Sequence, residues 1–129
     1  MRTFKDTKYG DLTGQKYETA NFGINVNDEM LTSLEGSPDE VTAYYSCDKN
    51  RITSLKYAPK IIGGTFYCRL NKALKNPRQQ IIDNRILAKG GYRTDDGDFT
   101  YEEILKEISI NKNIKSKGFR TLLGLKNEI

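Results

Sequence analysis

Three acidic residues, Asp95, Asp96 and Asp98, crowd around Gly97, and carboxylates at that density are what a hard cation requires. The spacing lacks the later bidentate glutamate of a calcium loop, however. An acidic turn ahead of a helix N-terminus accounts for the same residues. Gly63-Gly64 could open a phosphate cradle, but no Lys-Ser or Lys-Thr follows and no helix begins there, so the pair reads as a tight turn into a strand. Cys47 and Cys68 are the only thiols, and the chain has no histidine. The cysteines therefore lack the usual base that would activate them, and the commonest zinc ligand is missing. The expectation is no catalytic residue, no metal and no cofactor.

Recognition chemistry is better represented. Tyr44, Tyr45, Phe66 and Tyr67 offer rings on which single-stranded nucleic acid could stack. Strand alternation would turn Tyr45 and Phe66 inward and leave only Tyr44 and Tyr67 available. From Lys106 to Ile129 the chain carries six basic residues against Glu107 and Glu128, which accounts for the whole formal charge of +4. Lys112, Lys115, Lys117 and Arg120 are the candidate phosphate contacts in that segment. A solvated helix face is the more frequent origin of such charge.

The elements that would position these groups follow from an internal repeat. Laid over one another at an offset of 21, Leu31–Asn50 and Ile52–Asn71 share Thr32/Thr53, Ser33/Ser54, Leu34/Leu55, Pro38/Pro59, Cys47/Cys68 and Asn50/Asn71. Leu31/Ile52, Val41/Ile62 and Tyr45/Phe66 agree in kind. Tyr45-x-Cys47 and Phe66-x-Cys68 alternate with the period of a short strand. The asparagine three residues later has an amide able to satisfy backbone groups where the chain leaves the strand. A buried thiol behaves as a small hydrophobe, so both cysteines are expected free in the core rather than disulfide-linked. Backwards, Ile24-x-Val26 falls in the same frame, with Phe22 before it, Leu31-x-x-Leu34 after it and Glu29 in place of the asparagine. Forwards the frame runs to Ala73 and Leu74 and stops at Asn76-Pro77.

A strand that turns at an asparagine and returns after about 20 residues is the leucine-rich-repeat pattern. The chain resembles the short repeats of bacterial secreted effectors. It is still more similar to proteins of tailed phages that carry runs such as LTSLEGAP followed by a Gly-Gly and a Phe-x-Cys-x-x-Asn. The resemblance covers Phe22 to about Leu74. It implies an α+β fold, a parallel β stack of about three coils, and a phage protein that binds and modulates a bacterial host protein.

Stacked coils align equivalent outward positions, giving one column of Asn25, Ser46 and Tyr67 and a second of Asn27, Asp48 and Arg69. Such a rack is a candidate protein-recognition face, with Tyr and Arg as its anchors; a merely solvated sheet face is the alternative. Beyond the repeat, Asn76-Pro77 predicts a capped helix with Gln79 to Lys89 as its body and Gly90-Gly91 as its stop. Tyr92 to Asp98 reads as a turn-rich loop. Thr100 and Glu103 form a capping box for a helix buried through Ile104, Leu105 and Ile108. A polar link from Asn111 to Gly118 precedes a third helix marked by Phe119, Leu122 and Leu123. The expected organisation is one domain over 1–129, with the stack over about 20–75 and a helical cap over 76–129. At 36% hydrophobic and 29% charged residues, with mean hydropathy −0.68, the chain reads as soluble. With no apolar segment of signal-peptide or membrane-spanning length, the expected location is the cytoplasm.

Overall fold

The computed structural model describes residues 1–18 and 23–120, with side chains as far as Ile110. Along the described residues eleven short strands and two α-helices follow one another, with a single 3-10 turn at Phe4–Asp6: β1 (Arg2–Thr3), β2 (Lys16–Tyr17), β3 (Ile24–Asn25), β4 (Leu31–Ser33), β5 (Glu40–Val41), β6 (Tyr45–Ser46), β7 (Ile61–Ile62), β8 (Phe66–Tyr67), α1 (Pro77–Asp83), β9 (Leu87–Ala88), β10 (Tyr92–Thr94), β11 (Gly97–Phe99) and α2 (Tyr101–Arg120). The strands form a parallel stack of about three turns. One wall is the parallel sheet β2-β5-β7-β9. The other is β3-β6-β8-β10, parallel throughout, with β11 closing its edge antiparallel. On the third side β4 pairs with β1 of the N-terminal segment.

The inward columns are those read from the repeat. Ile24, Tyr45 and Phe66 are fully buried in register, and Val26 and Cys47, two residues on, are fully buried as well. Tyr45 stacks on Phe66 at 6.0 Å between ring centroids, the planes tilted by 29°. Leu31, Ile52, Leu34 and Leu55 fill the third side with no exposed surface. Two successive coil corners are sealed by asparagine. Asn50 Oδ1 accepts from Glu29 N and Leu31 N at 3.0 and 2.9 Å, and Nδ2 donates to the carbonyls of Val26, Cys47 and Asp48. Asn71 repeats the arrangement one coil later with Ile52 N and the carbonyls of Cys47 and Arg69. Beside this ladder, Asp28, Lys49 and Leu70, again 21 apart, all sit in left-handed backbone at φ 56°, 59° and 61°. Each such residue costs on the order of 1 kcal/mol.

Coil spacing also dictates Gly63. Its φ is ordinary, but a Cβ there would run into the Thr42 carbonyl of the coil beneath. Close approach of two backbones, and not a turn needing unusual dihedrals, is what requires this glycine.

The frame does not end at Asn76-Pro77. Leu87–Ala88 pairs with Ile61–Ile62, and Tyr92–Arg93 pairs with Phe66–Tyr67, at an offset of 26. The five extra residues are absorbed by α1, only seven residues long, which replaces the third side of that coil. The helix predicted over 79–89 therefore stops at Asp83. Ile86 is buried at the corner, and Leu87–Ala88 is strand. Asn76 takes left-handed backbone at φ 51° and makes no side-chain cap; Asp96 Oδ2 accepts from Arg78 N in the first turn of α1. Gln80 ties α1 to the coil beneath by accepting from Leu55 N, and donates to the Lys75 carbonyl just ahead of the helix. The predicted loop from Tyr92 to Asp98 is the β10–β11 hairpin. Thr100 and Glu103 make their reciprocal capping bonds, at 2.8 and 3.1 Å. The expected polar link is instead helix, because α2 runs unbroken to Arg120. Phe22, Leu122 and Leu123 lie outside the described residues.

The N-terminal segment seals the opposite end of the stack. Phe4 is fully buried, 6.2 Å from the ring of Tyr45, and Tyr9 stacks on Phe4 at 5.6 Å. The Tyr9 hydroxyl accepts from Asn25 N on the open edge of β3, and Arg2 pairs with Glu29 at 2.9 Å. Glu29, which stands where the later coils carry asparagine, is thus turned to a cap that the later coils do not need. Both ends are covered, as a short stack requires.

Candidate functional site

Alternation along the sheet wall brings the two predicted columns together. Asn25, Ser46 and Tyr67 are register partners across β3, β6 and β8. Asn27, Asp48 and Arg69 follow two residues on. All six, joined by Tyr44, line one shallow depression of about 280 Å³.

Their polar atoms are not equally free. Asn27 Oδ1 accepts from Ser46 Oγ at 2.7 Å and from Asp48 N at 2.8 Å. The Asp48 carboxylate accepts from Arg69 N at 2.6 Å and from the guanidinium at 3.2 Å. Asp95 continues the series by accepting from Leu70 N. Asn27 and Asp48 each hold an amide of the next coil and Asp95 reaches back to the coil before it, a second ladder parallel to the asparagines. Ser46 and Asp48 consequently retain only 5% and 8% exposure, although their register points them outward. They fix the coils in register and offer a partner little surface.

The exposed chemistry is concentrated in Tyr44, Tyr67 and Arg69. The two tyrosine rings meet edge to face at 6.4 Å and 85°. The Arg69 guanidinium lies 5.7 Å from the centre of the Tyr67 ring. Tyr44 sits at the corner just before the inward Tyr45. It can lie over the coil because residue 23 is glycine: a Cβ there would come within 2.6 Å of the Tyr44 ring. Alternation alone does not add Tyr44 to either column; the neighbouring Gly23 is the signal in the sequence.

The other candidates are spent elsewhere. Asp95 and Asp96 bond to the backbone amides of Leu70 and Arg78, and Asp98 pairs with Arg93 at 2.8 Å. Among the described residues no cluster of three or more metal-ligating side chains occurs. Cys47 and Cys68 are free and buried, and burial pushes both thiols well above their ordinary range, so neither supplies a thiolate at neutral pH. Tyr92 is held at a corner, donating to the Ile86 carbonyl and accepting from Ala88 N, and burial raises its hydroxyl to about 12. Lys112, Lys115, Lys117 and Arg120 fall on the last turns of α2, and their side chains lie outside those described. Among the described residues no helix is long and apolar enough to cross a membrane.

A comparison with protein families, curated proteins and solved structures returns no match to this chain.

Proposed function

We propose that the protein is a non-enzymatic binding module whose strand face receives another protein. The Tyr44–Tyr67–Arg69 cluster carries this reading. Tyrosine and arginine are the side chains that most often dominate interface energy. Here they stand on a scaffold whose coils are locked by two side-chain ladders, so little ordering is left to be done on binding. The resemblance to tailed-phage repeats suggests a bacterial host protein as the partner, bound and modulated in the host cytoplasm.

The test is capture from bacterial lysate by the immobilised protein, run in parallel with Tyr67→Ala and Tyr44→Ala. A species retained by the parent chain and lost from both variants, at unchanged melting temperature, supports the strand face. A capture pattern identical across the three proteins removes it. Binding of nucleic acid through the C-terminal segment is the competing reading, supported by the continuity of α2 through Lys112, Lys115, Lys117 and Arg120. It requires a low-salt gel shift that weakens steeply with salt and disappears when all four are neutralised.

A further inference from the structure

Two large apolar side chains stand at the corner where the strand face turns towards the third side of the stack. Met30 and Leu70 are 55% and 51% exposed, and both occupy left-handed backbone, at φ 58° and 61°. That backbone region suits Gly or Asn and disfavours bulky side chains. Exposure also forgoes the gain from burial. Folding therefore favours neither side chain, and residues held where stability opposes them point to a use. The two line a single depression of about 560 Å³ with Ala73, Lys49, Arg51 and Lys72. Among the described residues none of these three cations takes part in an ion pair. Asp28 is the one acid in the lining, so the local charge is positive.

We propose that this corner groove docks an acidic, amphipathic protein segment, with apolar side chains laid over Met30, Leu70 and Ala73 and carboxylates against Lys49, Arg51 and Lys72. The site lies around the corner from the tyrosine cluster and does not depend on the reading of that face. A nucleic-acid strand would satisfy the cations but not the rest of the groove. The lining holds no aromatic ring on which a base could stack. Met30 and Leu70 gain nothing from a phosphate backbone, whereas an aliphatic partner would bury both.

The experiment is fluorescence anisotropy on the full chain at physiological salt with three labelled probes: a short peptide alternating Glu with Leu, its counterpart alternating Glu with Ser, and an oligothymidylate. Saturable binding of the Glu–Leu peptide in the micromolar range is expected, with the other two at least about tenfold weaker. Leu70→Asn should weaken the Glu–Leu peptide by about fivefold or more. The same change should leave the melting temperature equal or higher, because asparagine suits that backbone. Joint reversal by Lys49→Glu and Lys72→Glu should cost about tenfold or more, and Asp28→Asn should tighten binding about twofold. The proposal is overturned if the Glu–Ser peptide or the oligothymidylate binds as tightly as the Glu–Leu peptide. It is equally overturned if no saturable binding of the Glu–Leu peptide occurs, or if Leu70→Asn leaves its affinity unchanged. Because Leu70→Asn relieves the backbone, that last result stands even if the charge-reversed variant fails to fold.

Discussion

Replacing Asn50 by alanine tests whether the corner ladder holds the stack together. The side chain is 94% buried by its 6% residual exposure and satisfies five backbone groups. Alanine would orphan two amides, Glu29 N and Leu31 N, and each unsatisfied buried donor costs about 1–3 kcal/mol. The three carbonyls it now caps suffer less, since a carbonyl oxygen has a second lone pair. A total loss of about 3–5 kcal/mol follows, a large part of the stability a domain this size possesses. With a urea m-value of about 1.5 kcal/mol/M, the unfolding midpoint should fall by about 2–3 M. Asn25→Ala is the control: same residue type, same sheet wall, but exposed and accepting only from Asn27 N, so it should cost no more than about 1 kcal/mol. Asn50→Asp keeps the acceptor but sets an anion against three carbonyl oxygens, and should be no milder than alanine. Midpoints for Asn50→Ala and Asn25→Ala that agree within error would refute the reasoning.

Core and surface on one repeat separate in a second pair: Leu55→Ala, at a position with no exposed surface, should cost about 2–5 kcal/mol. Tyr67→Ala should stay within about 1 kcal/mol while weakening the strand-face partner, and urea midpoints with affinities measure both. Thiol labelling of Cys47 and Cys68 should be at least about 100-fold slower in the native protein than in urea, since both are buried with raised pKa; equal rates would place a thiol at the surface. Alkaline titration should destabilise the fold through its buried hydroxyls and thiols: burial raises Tyr45, Cys47 and Cys68, and likewise Tyr92. Below about pH 10 the Tyr92 hydroxyl is neutral in both states, and above it the unfolded chain ionises first, so stability is lost progressively as pH rises to about 12. Tyr92→Phe should make that loss shallower in urea melts, leaving the shares of Tyr45, Cys47 and Cys68, at the cost of orphaning Ala88 N.

The stack itself was legible because its inward residues recur at a fixed interval: Tyr45 and Phe66, Cys47 and Cys68, Leu34 and Leu55 fall in equivalent places, and the corner asparagines bond as their spacing implies. The last rung was not legible. Five residues inserted as α1 break the interval, and Thr94 fills the slot of Cys47 and Cys68 with a hydroxyl, satisfied locally by donation to the Gly97 carbonyl. The N-terminal cap carries no period at all; Phe4, Tyr9 and Leu12 are placed by the shape of an open stack end. Register grouped the six strand-face residues correctly in space. It could not tell that the side chains of Asn27, Ser46 and Asp48 are spent on bonds between neighbouring coils, because a hydrogen-bonded ladder and a free polar column have the same alternation. The left-handed corners were equally hidden, since Lys49 and Leu70 are not residues that announce such backbone.

The insertion that forms α1 has a consequence for how this chain can change length. Both sheet walls accept only whole windings, because a single added residue there would swap every inward side chain of the rung for its outward neighbour. The third side is tolerant: it is a strand in one winding, an irregular segment in the next and a helix in the last, each compatible with the same rungs on either flank. Growth by duplication of a complete 21-residue cassette, and local embroidery confined to one edge, are therefore the two length changes the architecture permits. A foreign peptide spliced into the turn after Leu55 should ride on the outside of the winding without disturbing the rungs above and below it.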